Sequence, residues 1–286
     1  MKDFLNNATT RIGFMQGRLS PLEKGRIQSF PWFSWRDEFE IADNLNFSKM
    51  EWTIDQDRLY ENPLMSEDGR ADILLLSKKF GTQIPSLTGD CFMQDPFWKT
   101  SGNKREALLS DFRSVVSACA ELMIRLIVVP LVDNGRIENA EQERNLISCL
   151  KEMIPFLNSN KVKIIFESDY SPLILARFIN NFDPNVFGIN YDIGNSAALG
   201  FDPLEEIMGY GQHIVNVHVK DRVLGGSTTP LGLGDAEFDK VFSSLAKVGY
   251  SKNYILQTAR ATDSNHCGVI NKYRNMTVEW INLYGA

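Results

Sequence analysis

Four residues suited to metal binding or proton transfer stand at the ends of four short apolar runs in the second half of the chain. KVKIIFE ends on Glu167, FGINYD ends on Asp192, IVNVHVKD carries His218 near its end, and YILQ closes on Gln257. Carboxylate, imidazole and amide oxygen are donors that hard and borderline divalent ions accept. A single His among oxygens suits Mn²⁺, Mg²⁺, Co²⁺ or Zn²⁺ without choosing between them. Each residue alone has an ordinary structural use. A strand-end Glu pairs with a nearby cation, an Asp before Ile-Gly-Asn caps a turn, and a lone His is commonly a satisfied buried imidazole. The signal is that all four recur at the same place in consecutive units. Strand seven adds to it. Side chains alternate along a strand, so Val215, Val217 and Val219 share one face while Asn216, His218 and Lys220 share the other. A buried row of Asn, His and Lys is costly unless something uses it.

The elements that must position these residues are short apolar runs alternating with longer helical patterns. The pattern predicts strands over 11–15, 49–54, 83–88, 126–131, 162–167, 187–192, 214–220 and 254–257. Helices are expected near 35–45, 70–80, 104–122, 139–157, 172–180, 203–208, 236–248 and 268–283. Ser34 with Asp37 three residues on resembles a capping box. Ser171-Pro172 and Asp202-Pro203 pair a capping residue with Pro at the first helical position. Gly81 follows the basic turn Lys78-Lys79-Phe80, and Gly249 ends the seventh helix in the same way. Eight strand-then-helix units predict an α/β fold of the (β/α)8 TIM-barrel class, in which every strand's C-terminal end faces one mouth. An open doubly wound sheet would want a G-x-G-x-x-G turn after an early strand, and Met15-Gln16-Gly17-Arg18 does not fit it. No linker or repeat divides residues 1–286, so a single barrel domain is expected.

Composition narrows the function classes. Net charge is −6 and no Lys/Arg cluster stands out, which disfavours a nucleic-acid partner. No apolar run reaches ~18 residues, so no membrane span is expected. The opening MKDFLNNATTR lacks the apolar stretch of a secretory leader. Cys91, Cys119, Cys149 and Cys267 are scattered without a C-x-x-C pair, which suits a reducing cytoplasm. The expected partner is a small molecule, and a homo-oligomer is left open.

The segments IGFMQGRLSP, MEWTID, IPSLTGDCF, IIFESD, NYDIGN, VNVHVKDR, PLGLGDAEFDKVFSSL and YILQTAR follow one another along almost the whole chain. In them the chain resembles the xylose-isomerase-like barrel superfamily, in its sugar phosphate isomerase/epimerase branch. The Asp-x-Gly-Asn and His-x-Lys-Asp pieces carry most of the likeness. The resemblance implies one divalent metal ion held by Glu167, Asp192, His218 and, in place of the family's second Glu, Gln257. It implies a sugar or sugar-phosphate substrate and proton transfer next to a carbonyl, with Glu167 and Gln257 at the two proton-transfer positions. An amide does not titrate usefully, so a one-base reaction is expected. Asn195 takes the place of a substrate-contacting His found in some family epimerases. A lyase acting on a cyclitol or keto-acid and a degenerate sugar-binding protein are the alternatives. A nuclease of this fold needs a multi-zinc cluster rich in His, and this chain has only three His.

Further substrate contacts are expected around the mouth. Arg18, Lys220 and Arg222 would clamp a phosphate or carboxylate, helped by backbone amides of Leu231-Gly232-Leu233-Gly234. Glu51 would accept from a sugar hydroxyl or neutralise Arg18. The aromatics of Phe30–Trp35, with Phe92, Phe97 and Trp98, are expected mostly to pack loops onto helices.

Overall fold

Eight parallel strands close on themselves in the computed structural model, which describes residues 8–23 and 25–286. They are β1 (Ile12–Met15), β2 (Met50–Ile54), β3 (Ser86–Gly89), β4 (Leu126–Leu131), β5 (Lys163–Ser168), β6 (Phe187–Asp192), β7 (Ile214–Val219) and β8 (Asn253–Leu256). Each strand pairs with its sequence neighbours, and β8 closes the ring against β1. The fold is a (β/α)8 TIM barrel, as expected. The part of the opening segment covered by residues 1–7 lies outside the described residues. Among the described residues no helix is long and apolar enough to cross a membrane.

The outer layer is ordinary core. Phe166 on β5 stacks with Phe187 on β6 and meets Phe178 and Phe182 edge-on or tilted. Each such ring, fully buried, contributes about 1.5–3 kcal/mol. Trp35, Trp52, Phe30 and Phe39 form a second aromatic group, and Phe92, Phe97, Trp98 and Phe112 a third. None of these aromatic side chains lines the mouth cavity, so they pack loops as expected. Arg11 ties the barrel seam, donating to the backbone carbonyls of Tyr250 and Lys252 beside β8 and of Ala286 at the end of the chain.

Several local expectations shift for identifiable reasons. β3 begins at Ser86 rather than residue 83 because Pro85 has no N–H for the ladder; Gln83 keeps only an isolated bridge to Lys49. The helical stretch 139–157 divides into Ala140–Glu152 and Ile154–Asn160, with Pro155 in the first turn of the second. Ser34 does not cap its helix with its side chain; its carbonyl accepts from the amides of Asp37 and Glu38 instead. Asp202 does cap, accepting from the amides of Leu204 and Glu205. The pairing of β6 with β7 shifts register at Ile189/Asn190, and Val215 joins Val128 and Ile165 in a small separate apolar cluster. Ile165 shares the face of Glu167 by alternation, so this cluster floors the barrel, and only Val217 and Val219 join the outer core. Two short helices open where strands end: Asp90–Gln94 after β3 and Ile193–Leu199 after β6. Both carry polar side chains into the mouth.

Candidate active site

The barrel interior above its apolar floor is one connected polar network. Register places its members: Met15 pairs with Glu51, Pro130 with Glu167, Asp192 with His218, and His218 in turn with Ile255. Residues at the C-terminal ends of β5, β6 and β7 therefore come together facing inward, while Glu51, the second residue of β2, lies deeper in the barrel.

His218 is fully buried at the centre. Its Nε2 lies 2.8 Å from Glu51 Oε1, and its Nδ1 lies 3.1 Å from Glu167 Oε2 and 3.9 Å from Asp192 Oδ2. Burial alone would lower the imidazole's pKa, but the charges and hydrogen bonds of Glu51 and Glu167 raise it to about 10. The same contacts outweigh burial at Glu51 and Glu167 and hold both below the usual carboxylate range. Asp192 is pushed the other way, by burial and the nearby Glu167, despite Lys220. Ligand atoms of Glu167, Asp192 and His218 all lie within 4.8 Å of one another. Three buried acids of such donor types around one imidazole are the charge arrangement that a divalent cation would neutralise. The residues fit such an ion, with His218 Nδ1 turned to it and Nε2 backed by Glu51.

Glu51 does not line the mouth as a hydroxyl acceptor, nor does it meet Arg18. It is wholly buried beneath His218, where Ser86 Oγ and Thr88 Oγ1 each donate to it at 2.5 Å and Asn216 Nδ2 at 3.2 Å. All its lone pairs are engaged by the barrel wall. Asn190 extends the network, donating to Glu167 Oε2 at 2.9 Å and accepting from Asn216 at 2.8 Å.

The mouth itself is a cavity of about 320 Å³ whose lining includes Glu167, Asn195, Lys220, Arg222, Gln257, Gln28 and Asp90. A larger hollow of about 530 Å³ at the opposite end of the barrel has neither carboxylate nor imidazole in its lining. Asn195 is the hub of the mouth. Its amide nitrogen donates to Glu167 Oε1 at 2.7 Å, and its oxygen accepts from Lys220 at 3.1 Å and Arg222 at 2.8 Å. The short helix that presents it is capped by Asp192, whose Oδ1 accepts from the Asn195 amide at 2.8 Å. Gly194 is required beside it, since a Cβ there would stand 2.6 Å from Lys220 Cγ. Lys220 also donates to Asp192 Oδ2 at 3.2 Å and to Gln257 Oε1 at 3.4 Å.

Gln257 is oriented by a chain of amides. Gln28 donates to Asp90 Oδ2 at 2.6 Å, so its oxygen is left to accept from Gln257 Nε2 at 2.8 Å. The Gln257 oxygen is thereby turned toward Lys220 and Asp192, where it can act as a donor to a cation.

Two expected contacts fall elsewhere. Arg18 does not line the cavity: it is buried behind it, donating to the Ile27 carbonyl and to Gln28. Burial first, then Arg260, lowers its pKa to about 9. The amides of Gly232, Gly234 and Ala236 point to the buried carboxylate of Asp221 at 2.8, 2.9 and 3.2 Å, not to the mouth. This explains the glycine at 234, where a Cβ would lie 2.2 Å from Asp221 Oδ1. Arg222 remains at the mouth on a two-residue ribbon, Asp221–Arg222 with Thr228–Thr229.

Glu38, Gln28 and Asp90 escaped the sequence reading, the two acids buried and Gln28 half-buried. Glu38 accepts from the amides of Gly17 and Leu19 and from Ser20 Oγ, shaping the loop after β1; burial raises its pKa to about 7. Gln28 and Asp90 join the cavity. Only the position of Asp90 directly after β3, within Thr-Gly-Asp, pointed toward the mouth.

Comparison with known proteins agrees with this fold. Residues 39–272 match the family model described as xylose isomerase-like TIM barrel. The chain is 25% identical over 252 residues to the L-ribulose-5-phosphate 3-epimerase UlaE of an Escherichia coli strain, covering 84% of this chain and 88% of that protein. Among solved structures, the IOLI protein with a bound zinc atom superposes with a TM-score of 0.74 at 15% identity, covering 96% of this chain and 99% of that one. The D-psicose 3-epimerase of Clostridium cellulolyticum H10, solved with D-tagatose, superposes with a TM-score of 0.70 at 11% identity, covering 96% and 99%.

Proposed function

Because the chain belongs to the xylose isomerase-like TIM-barrel family, we propose that it is a divalent-metal-dependent isomerase or epimerase of a small sugar or sugar phosphate. The observation that carries this reading is the convergence of Glu167, Asp192 and His218, the first of which lines a polar cavity. Its relatives' substrates, L-ribulose 5-phosphate and ketohexoses such as D-tagatose, are the class it fits. The four free thiols suit a reducing compartment, the cytoplasm.

A divalent ion held by Glu167, Asp192 and His218, with the Gln257 oxygen as a weaker fourth donor, would polarise the substrate carbonyl. The chain's own groups do the rest. Glu167 is the base that takes the proton from the carbon next to the carbonyl. Asn190 and Asn195 fix its two oxygens, so the carboxylate is held rigidly while it waits. Lys220 brings positive charge beside Asp192 and Gln257, where negative charge develops on the substrate oxygen. The far end of the substrate, phosphate or hydroxyl, would lie toward Arg222, Ser227 and Thr228, which line the same cavity. Gln257 cannot take a proton, so the strand-end residues on their own support one-base chemistry.

The test is Glu167→Gln, assayed by exchange of the substrate's hydrogen with solvent on L-ribulose 5-phosphate, D-tagatose and D-psicose. Exchange should fall by about 10²–10⁴-fold. Unchanged exchange would remove Glu167 as the base.

A further inference from the structure

A second carboxyl group stands in the cavity, contributed by a strand that carries none of the metal-type residues. Asp90 follows β3 directly and is 95% buried, yet it lines the same cavity as Glu167. Its Oδ2 accepts from Gln28, the only hydrogen-bond partner of its side chain among the described residues. Gln28 in turn accepts from Gln257 at the end of β8, so a chain of two hydrogen bonds spans the mouth from Asp90 to Gln257. β3, which Asp90 follows, is two strands around the ring from β5, which carries Glu167. The two carboxyls share one space, and no hydrogen bond joins them.

We propose that Asp90 is the second acid–base residue of this site, exchanging a proton with the face of the reacting carbon opposite Glu167, so that the enzyme inverts a stereocentre. This inference rests on the proposed sugar isomerase/epimerase function, and it replaces the one-base expectation drawn from Gln257. The step balances within the pair. Glu167 takes a proton from the carbon, and the C–H electron pair moves toward the carbonyl to give an enediolate. The Asp90 carboxyl then donates its proton to the same carbon from the other side, and the carbonyl re-forms. Asp90 is left ionised and Glu167 protonated, and exchange with water restores the pair.

The surroundings of Asp90 supply the protonation state this role needs. Burial is the main cause, and Asp55 at the end of β2 and Glu167 on β5 add to it. Together they outweigh the Gln28 hydrogen bond and the charge of Arg18, and raise its pKa to about 8. Asp133, Lys220 and Arg222 complete the charged lining of the cavity. At neutral pH Asp90 is therefore an acid with a proton to give, which is how two carboxyls in one site divide the acid and base roles.

The experiment is turnover in D₂O, followed by NMR, of L-ribulose 5-phosphate, D-tagatose and D-psicose by wild type and by Asp90→Asn. The Asn oxygen can still accept from Gln28, and a melting temperature at pH 6 no lower than that of wild type checks the fold. Wild type should give inverted product carrying solvent deuterium. Asp90→Asn should invert about 10²–10⁴-fold more slowly, while it still exchanges the substrate's hydrogen through Glu167. Inversion by Asp90→Asn within threefold of wild type overturns the role of Asp90 alone, as does a variant that only raises KM. Wild type that passes the substrate's own hydrogen internally to product overturns it as well. Neither exchange nor inversion by wild type on any of the three sugars overturns the functional reading and this inference together.

Discussion

Replacing Glu51 by Gln tests whether this carboxylate serves the metal centre from beneath or merely fills the barrel. Glu51 Oε1 meets His218 Nε2 at 2.8 Å and Thr88 at 2.5 Å, while Oε2 accepts from Ser86 at 2.5 Å and Asn216 at 3.2 Å. An amide offers one oxygen where the carboxylate offered two. If that oxygen keeps His218, the new NH₂ faces the Asn216 NH₂, donor against donor; Ser86 can adapt by rotating its hydroxyl. One charge-assisted bond is weakened and one buried donor is left unpaired, each worth about 1–3 kcal/mol. The folded state should therefore lose roughly 2–6 kcal/mol, read from urea denaturation. The carboxylate also fixes which imidazole nitrogen is free for the metal, and losing such a partner typically costs 10–100-fold in affinity, about 1.4–2.7 kcal/mol. Competition with a fluorescent chelator measures this directly. A Glu51→Gln protein that is folded and binds Mn²⁺ within threefold of wild type would refute the reasoning, because Glu51 would then be only a structural acceptor.

Other outcomes follow from the same geometry. Asp90 has a folded-state pKa of about 8, above its ordinary value, so the stability it contributes is complete below about pH 4 and lost as pH rises through 8. The melting temperature of Asp90→Asn relative to wild type should accordingly climb between pH 4 and 8 and level off above; a pH-independent difference would count against the shift. Arg222→Ala should weaken L-ribulose 5-phosphate at least tenfold more than unphosphorylated L-ribulose, measured as kcat/KM, whereas equal losses would move the phosphate elsewhere. Gln257→Glu adds a charged donor on the side of Asp192 and should tighten Mn²⁺ binding; unchanged affinity would place that side chain outside the coordination sphere. Gly234→Ala puts a methyl 2.2 Å from Asp221 Oδ1 and should destabilise by about 2 kcal/mol or more, which thermal melting reads.

The barrel was legible because its signal is periodic and repeated. Each strand run is short and apolar, each ends near a polar residue, and a mismatch in one unit does not erase the other seven. The positions of Glu167, Asp192 and His218 followed from the same regularity, since strand ends in a barrel share one mouth. Direction was harder to read. Arg18 follows β1 and Glu51 lies within β2, but Arg18 turns behind Gln28 and Glu51 points down under His218. Only the three-dimensional partners decide that. The amides of Gly232 and Gly234 were expected at a ligand and are held by Asp221, which lies eleven or more residues away. Val215 changes faces because a register shift between β6 and β7 breaks the simple alternation. Asp90, which opens a five-residue helix, and Gln28, in a loop, went unnoticed because single polar residues in such short segments carry no period. Their importance lies in the hydrogen bonds that join them to Gln257, which is 229 residues from Gln28.

The central claim is that Glu167, Asp192 and His218 together hold a divalent ion. Elemental analysis of the purified protein and of His218→Ala, after identical equilibration with Mn²⁺ and removal of free ion, tests it most directly. The account predicts stoichiometric metal in the wild type and its near-complete loss in the variant, with the fold retained. Stoichiometric metal in a folded His218→Ala protein, or none in the wild type, would contradict it.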